Sequence, residues 1–280
     1  MLTFHRHSRK LASGFTLVEA IIVIVMTAIL SAMVASFIGK PIVQYQDLSR
    51  RADLSDAANA AVRRISRDLH LALPNSVRST ASTCVEFIPT YDGGRYRAAA
   101  DSTGAGNTFN AEQSITQFDV IGALGAAPPD GDFVVVYNLG IPGADAYAED
   151  NRATLEGSST TSLKSLVPKT FPFASPGNRF QLVANSEQAV SFVCTGVGID
   201  AAGNGTGTLY RAAAYGFVAT PVGCAAVASM PIMAQNVSVC QFSYTSGASE
   251  RSGLVSIRLN ITRNNEIVSI YHDVNINNVP

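Results

Sequence analysis

Residues Phe15 to Ile38 read FTLVEAIIVIVMTAILSAMVASFI, and Glu19 is the only charge among them. At about 1.5 Å rise per residue, such a run crosses the ~30 Å hydrocarbon core of a bilayer as a helix. His5, Arg6, His7, Arg9 and Lys10 precede it with no acidic residue. The positive-inside bias then keeps the N-terminus cytoplasmic and sends the C-terminal body outward. A secretory signal peptide is the competing reading, but its apolar region is shorter and its cleavage site follows that region, whereas Gly14 precedes this one. A carboxylate in an apolar span costs about 2.5–3.5 kcal/mol on insertion scales, so Glu19 is a functional candidate.

The ordered string GFTLVEAIIVIV, with Gly14, aromatic Phe15 and Glu19 leading into the apolar helix, resembles the leader junction of type IV pilins and type II secretion pseudopilins. The resemblance implies cleavage between Gly14 and Phe15 by a prepilin peptidase, followed by N-methylation of the Phe15 amine. It also implies assembly with major and minor pilins through this helix, on an inner-membrane assembly platform. Glu19 then neutralises a Phe15 ammonium, in the same or a neighbouring subunit, inside an apolar filament core.

Beyond Gly39, Lys40 and Pro41 the residues stay compatible with helix as far as Leu73, where Pro74 stops it. Pro41 lacks an amide hydrogen, which predicts a kink or local melting around residues 39–41. Leu54, Ala58, Ala61, Val62, Ile65, Leu69 and Leu73 recur at three-and-four spacing, so one stripe of this half faces a folded domain. Asp47 with Arg51 and Arg64 with Asp68 lie four apart, in reach of helix-supporting pairs, on what reads as a solvated face.

From Asn75 onward the pattern changes to short β-rich runs punctuated by Gly, Pro, Asn, Asp and Ser. Candidate strands are 114–121, 132–138, 179–183, 190–195, 208–214 and 237–244. Val255, Ile257, Leu259 and Ile261 alternate with polar residues before Asn264-Asn265, and Val268, Ile270, Val274 and Ile276 alternate after it, which predicts a terminal hairpin. His272 shares the apolar face of the return strand and reads as a hydrogen-bonded structural residue. The glycine-rich stretches 91–110 and 196–207 read as turns. The fold class is α+β: a long N-terminal helix, transmembrane then amphipathic, packed on an antiparallel sheet with long loops, as in type IV pilins. The expected segments are a leader at 1–14, a membrane helix at 15–39, an amphipathic helix at 40–74 and a β-rich head at 75–280.

Cys84, Cys194, Cys224 and Cys240 are even in number and lack any CxxC pair. In an exported domain they predict disulfides, with three complete pairings open, rather than a zinc site. Asp145, Glu149 and Asp150, beside Asn151, lack the EF-hand order and read as a solvated acidic loop. Lys plus Arg is 20 against 21 for Asp plus Glu, and loss of Arg6, Arg9 and Lys10 leaves a net charge of −4. That balance gives nucleic acid no electrostatic footprint. No hydrolase, zincin, nucleotide-loop or dinucleotide motif stands in a suitable setting, so the chain reads as a non-enzyme with no catalytic residue, metal or cofactor.

The end of the chain, NVSVCQFSYTSG and then SGLVSIRLNITRNNEIVSIYHDVNINNVP, resembles the C-terminal region of minor pilins of the mannose-sensitive haemagglutinin (MSHA) pilus. J-type pseudopilins of type II secretion systems are the close alternative, and a tip adhesin or binding module, with the β-rich body binding a surface or sugar, is the other. Either family implies a filament subunit, anchored in the inner membrane of a Gram-negative bacterium, with a periplasmic head.

Overall fold

The computed structural model describes residues 14–246 and 252–280, and the backbone alone at 38–43. The leader residues Arg6, Arg9 and Lys10 lie outside the described residues. Two compact units divide between Ala52 and Asp53. One helix, α1 (Leu17–His70), contributes to both.

In the first unit the helical backbone continues through residues 39–41 without interruption, so the expected melting at Pro41 does not occur. Its apolar part, Leu17–Phe37, is about 31 Å long and buries no side chain. Asp47 pairs with Arg50 at 3.3 Å, one turn along the helix.

The second unit begins with the amphipathic half of α1. Leu54, Ala58, Ala61, Val62, Ile65 and Leu69 are buried at the predicted spacing. They pack on the inner face of a seven-stranded antiparallel sheet with the order β1-β2-β9-β10-β11-β12-β13. Its strands are β1 (Arg78–Ala81), β2 (Cys84–Phe87), β9 (Val190–Thr195), β10 (Gly207–Ala212), β11 (Ile232–Ser246), β12 (Ser252–Arg263) and β13 (Glu266–Asn277). Phe87, Phe192, Phe242, Ile257 and Leu259 form the opposing wall. Fully burying a side chain such as Ile65 contributes about 1.5–3 kcal/mol, so this interface is a principal source of stability for the unit.

The helix ends three residues earlier than its periodicity predicts. Residues 71–73 leave α1 to pair with 88–90: the Leu73 amide donates to Ile88 at 2.7 Å and the Thr90 amide to Leu71 at 2.8 Å. Sheet pairing captures the backbone before Pro74 can act as the stop. Asp68 does not meet Arg64; its carboxylate accepts from Arg211 Nε of β10 at 2.8 Å.

Between β2 and β9, which pair directly, the chain makes an excursion through residues 88–189. It forms β3 (Asp92–Tyr96), β4 (Ser114–Ile121), β5 (Phe133–Val135), β6 (Arg152–Thr154), β7 (Ser162–Thr170) and β8 (Arg179–Val183). Their order is β6-β5-β8-β3-β4-β7. The two outer strands meet where Leu155 bridges Ser165 and the Glu156 amide donates to Lys164 at 3.0 Å, so the sheet closes on itself. Tyr96, Phe109, Phe118, Phe171 and Phe180 fill its interior, with Tyr96 and Phe109 ring centres 4.2 Å apart. Strand β3 runs through a stretch read as turns. Cβ atoms at Gly93 and Gly94 would lie 2.7 Å from the Phe180 carbonyl and 2.9 Å from its ring, so these glycines admit close strand packing there.

The terminal hairpin forms about the predicted turn, with Val255 opposite Val274, Ile257 opposite His272 and Leu259 opposite Ile270. Asn264 and Asn265 turn it with φ of 49° and 64°, the left-handed pair of a type I′ turn. His272 is exposed, contrary to the structural role expected of it.

A long irregular segment, residues 213–231, covers the β1 edge. Arg78 donates to the Val218 and Ala219 carbonyls, and Thr80 to the Gly223 carbonyl. Beneath it the buried Glu86 carboxylate accepts from Arg78 Nε at 2.6 Å and from the Tyr215 hydroxyl at 2.7 Å. Burial, reinforced by Glu86, raises the Tyr215 pKa far above the ordinary phenol value, so this hydroxyl remains a donor.

Candidate assembly site at the N-terminal junction

Gly14, Phe15 and Thr16 precede the first turn of α1 without helical structure. The Ala20 amide donates to the Thr16 carbonyl at 3.1 Å and the Glu19 amide to Thr16 Oγ1 at 3.2 Å. Thr16 is therefore the N-cap, and Glu19 occupies the third helical position in the spacing of a capping box. The signal for this cap in the sequence is the Thr-x-x-Glu spacing of Thr16 and Glu19. A carboxylate in the first turn also complements the positive end of the helix dipole, typically by 0.3–1 kcal/mol at exposed sites.

Cleavage after Gly14 would leave an ammonium on Phe15, close to that same positive end. A cation there is unfavourable unless a carboxylate answers it, and Glu19 is the only acidic residue of the first turn. Phe15 is 78% exposed, and open space surrounds the position a Gly14 side chain would occupy. Among the described residues nothing sterically requires glycine there.

Two hydroxyls of the apolar segment are satisfied by carbonyls of the helix itself. Thr27 Oγ1 donates to Val23 at 2.8 Å, and Ser36 Oγ to Met33 at 2.9 Å. Leu17, Val18, Ile24, Leu30 and Phe37 are all exposed. An uncovered apolar surface of this length calls for lipid or other helices around it.

Residues 9–35 match the protein-family model described as the prokaryotic N-terminal methylation motif. The chain carries a prepilin-type motif. This motif supports a type IV pilin-like family and implies processing by a prepilin peptidase and assembly with other pilins. A single apolar helix bearing it fits a membrane-anchored pilin. No curated protein matches the chain, and no solved structure does.

The four cysteines lie in the second unit and form two disulfides, Cys84–Cys224 and Cys194–Cys240. The first fastens the 213–231 segment to β2, and the second joins β9 to β11. In the acidic loop, Asp145 accepts from the Tyr147 amide at 2.9 Å and Asp150 from the Asp145 amide at 3.1 Å, so both carboxylates build the turn. Among the described residues no three acidic, histidine or cysteine side chains gather as a metal site.

Proposed function

We propose that this chain is a minor pilin of a type IV pilus, similar in its C-terminal sequence to MshO of the MSHA pilus, which primes or caps the filament. The observation that carries the reading is the junction itself: the motif at 9–35, a capped helix start with Glu19 in its first turn, and an uncovered apolar span behind it. Prepilin peptidase cuts between Gly14 and Phe15, and the Phe15 amine is methylated. The subunit waits in the inner membrane with its head in the periplasm, then enters the filament through the Leu17–Phe37 helix. Glu19 draws the Phe15 ammonium of a neighbouring subunit into register, because an unpaired charge in an apolar core is costly. The reading assigns the chain no catalytic step and no cofactor.

The closed sheet at residues 88–189 supports a minor rather than a major role. It adds bulk to a helix-and-sheet core, which suits a position used once better than one repeated along a thin fibre. Glu19→Ala tests the assembly step: the variant is expected to be cleaved and membrane-inserted normally, and to be lost from sheared filaments with reduced piliation. Normal piliation with Glu19→Ala would remove the docking role. Deletion of the gene abolishing protein secretion, with pili intact, would assign the chain to a type II secretion pseudopilus instead.

A further inference from the structure

The second unit has four sheet edges, and three of them are closed. Strand β1 is four residues long, shifts register between Arg78 and Ala81, and lies beneath the segment that Arg78, Thr80 and the Cys84–Cys224 disulfide hold over it. Strands β6 and β7 meet each other through Leu155 and Ser165. The fourth edge, β13, is different. It runs twelve residues, EIVSIYHDVNIN, paired residue for residue with β12 without a bulge, and contains no proline or lysine. Among the described residues no group bonds its outer backbone from Ile267 to Ile276. Long, regular, unblunted edges of this kind are rare in natural sheets because they invite another strand.

The side chains of β13 specify which strand suits it. Val268 and Ile270 are only half-buried although they continue the apolar face of the main core. The missing cover is therefore apolar on that face and polar on the other. A second β13, antiparallel about a two-fold axis at His272, has this pattern. In that register Val268 opposes Ile276 and Ile270 opposes Val274 on the core face, while Ser269 opposes Asn275 and Tyr271 opposes Asp273 on the outer face. Shifting the axis to Tyr271 places Ile270 against His272; shifting it to Asp273 places two carboxylates together. Side-chain alternation and charge thus favour the His272 axis over both of its neighbours.

We propose that β13 is a self-association edge, through which two copies of this chain join their seven-stranded sheets across a two-fold axis at His272. The contact is isologous and closes on itself, so it yields a dimer rather than a fibre. It goes beyond the pilin reading and does not depend on it, since it involves only the second unit.

Site-directed cross-linking of the full chain in detergent tests the register. Opposed residues of an antiparallel pair lie about 4.5–5.5 Å apart between Cα atoms, within disulfide range. Two Ser269 residues would be separated by about 20 Å along the strands. On mild oxidation, His272→Cys is expected to form a covalent dimer and Ser269→Cys to remain monomeric. Mixing Ser269→Cys with Asn275→Cys should restore a dimer that neither gives alone. All three positions are exposed, so these variants keep the fold. Association through the apolar helix would cross-link the sites without regard to register. Equal cross-linking of His272→Cys and Ser269→Cys, or none at His272→Cys and in the mixture, would overturn the proposal, including in favour of a strand from a different protein.

Discussion

Removing the disulfides one at a time separates their contributions. Replacing both members of a pair by Ala avoids stray thiols. In the chain-entropy account the loss grows with the logarithm of the closed loop. Cys194 and Cys240 are 46 residues apart and Cys84 and Cys224 are 140 apart. Those spans correspond to about 4 kcal/mol and about 5 kcal/mol. Guanidinium unfolding of the purified chain in detergent, followed by circular dichroism, reads both values against the unmodified protein. The Cys84/Cys224 variant should be the less stable and should also become susceptible to protease within 213–231, because its loss unfastens that segment. The Cys194/Cys240 variant should lose stability without a new cut there. Losses below about 1 kcal/mol for both pairs would refute the loop-closure reasoning, and peptide mapping that found other pairings would refute the arrangement itself.

Three further outcomes follow from the second unit. Ile65→Ala, at a fully buried position between α1 and the sheet, should cost roughly 2–5 kcal/mol in the same unfolding assay, whereas Arg63→Ala on the exposed face should stay within about 0.5 kcal/mol. Glu86→Gln leaves the half-buried Arg78 with only the Val218 and Ala219 carbonyls and the Tyr147 ring; it should cost roughly 1–3 kcal/mol and loosen the 213–231 segment, detected as faster amide exchange there. Asp119 is held below the ordinary carboxylate range chiefly by the Asn107 side-chain amide, with the Asn107 backbone amide and Arg97 adding to it. Its stabilisation is complete above the unfolded carboxylate value of about 4 and disappears as pH falls through the lower folded value. Asp119→Asn should therefore destabilise at neutral pH and flatten the acid limb of the stability profile.

The elements most legible in the sequence were those whose periodicity and burial agree. The Leu54 to Leu69 stripe, the 114–121, 179–183 and 190–195 strands, and the Asn264-Asn265 hairpin lie where their patterns put them. The short strands β1, β2, β3 and β6, and the nine-residue β7, were not legible for different reasons. Strand β2, Cys84–Phe87, is buried throughout and so has no alternation to read. Strand β3 carries Gly93 and Gly94, which resemble a turn until Phe180 is placed beside them. The closure of the six-stranded sheet rests on Leu155 meeting Ser165, a tertiary contact with no local signature. Pairing of the cysteines was likewise undetermined by spacing, because it depends on which strands the 88–189 excursion leaves adjacent. At the N-terminal junction Gly14, Phe15 and Glu19 stood out by sequence order alone, and the structure adds Thr16 as the cap that fixes where the helix starts.

The most direct test of the filament-subunit account is the intact mass and N-terminal sequence of the protein from its native membrane and sheared filament fractions, with and without prepilin peptidase. The account predicts a mature chain beginning at methylated Phe15, dependent on the peptidase and present in trace amounts with filaments. A chain that retains residues 1–14, or one cut beyond Ile38, would contradict it and leave an anchored or secreted β-rich domain.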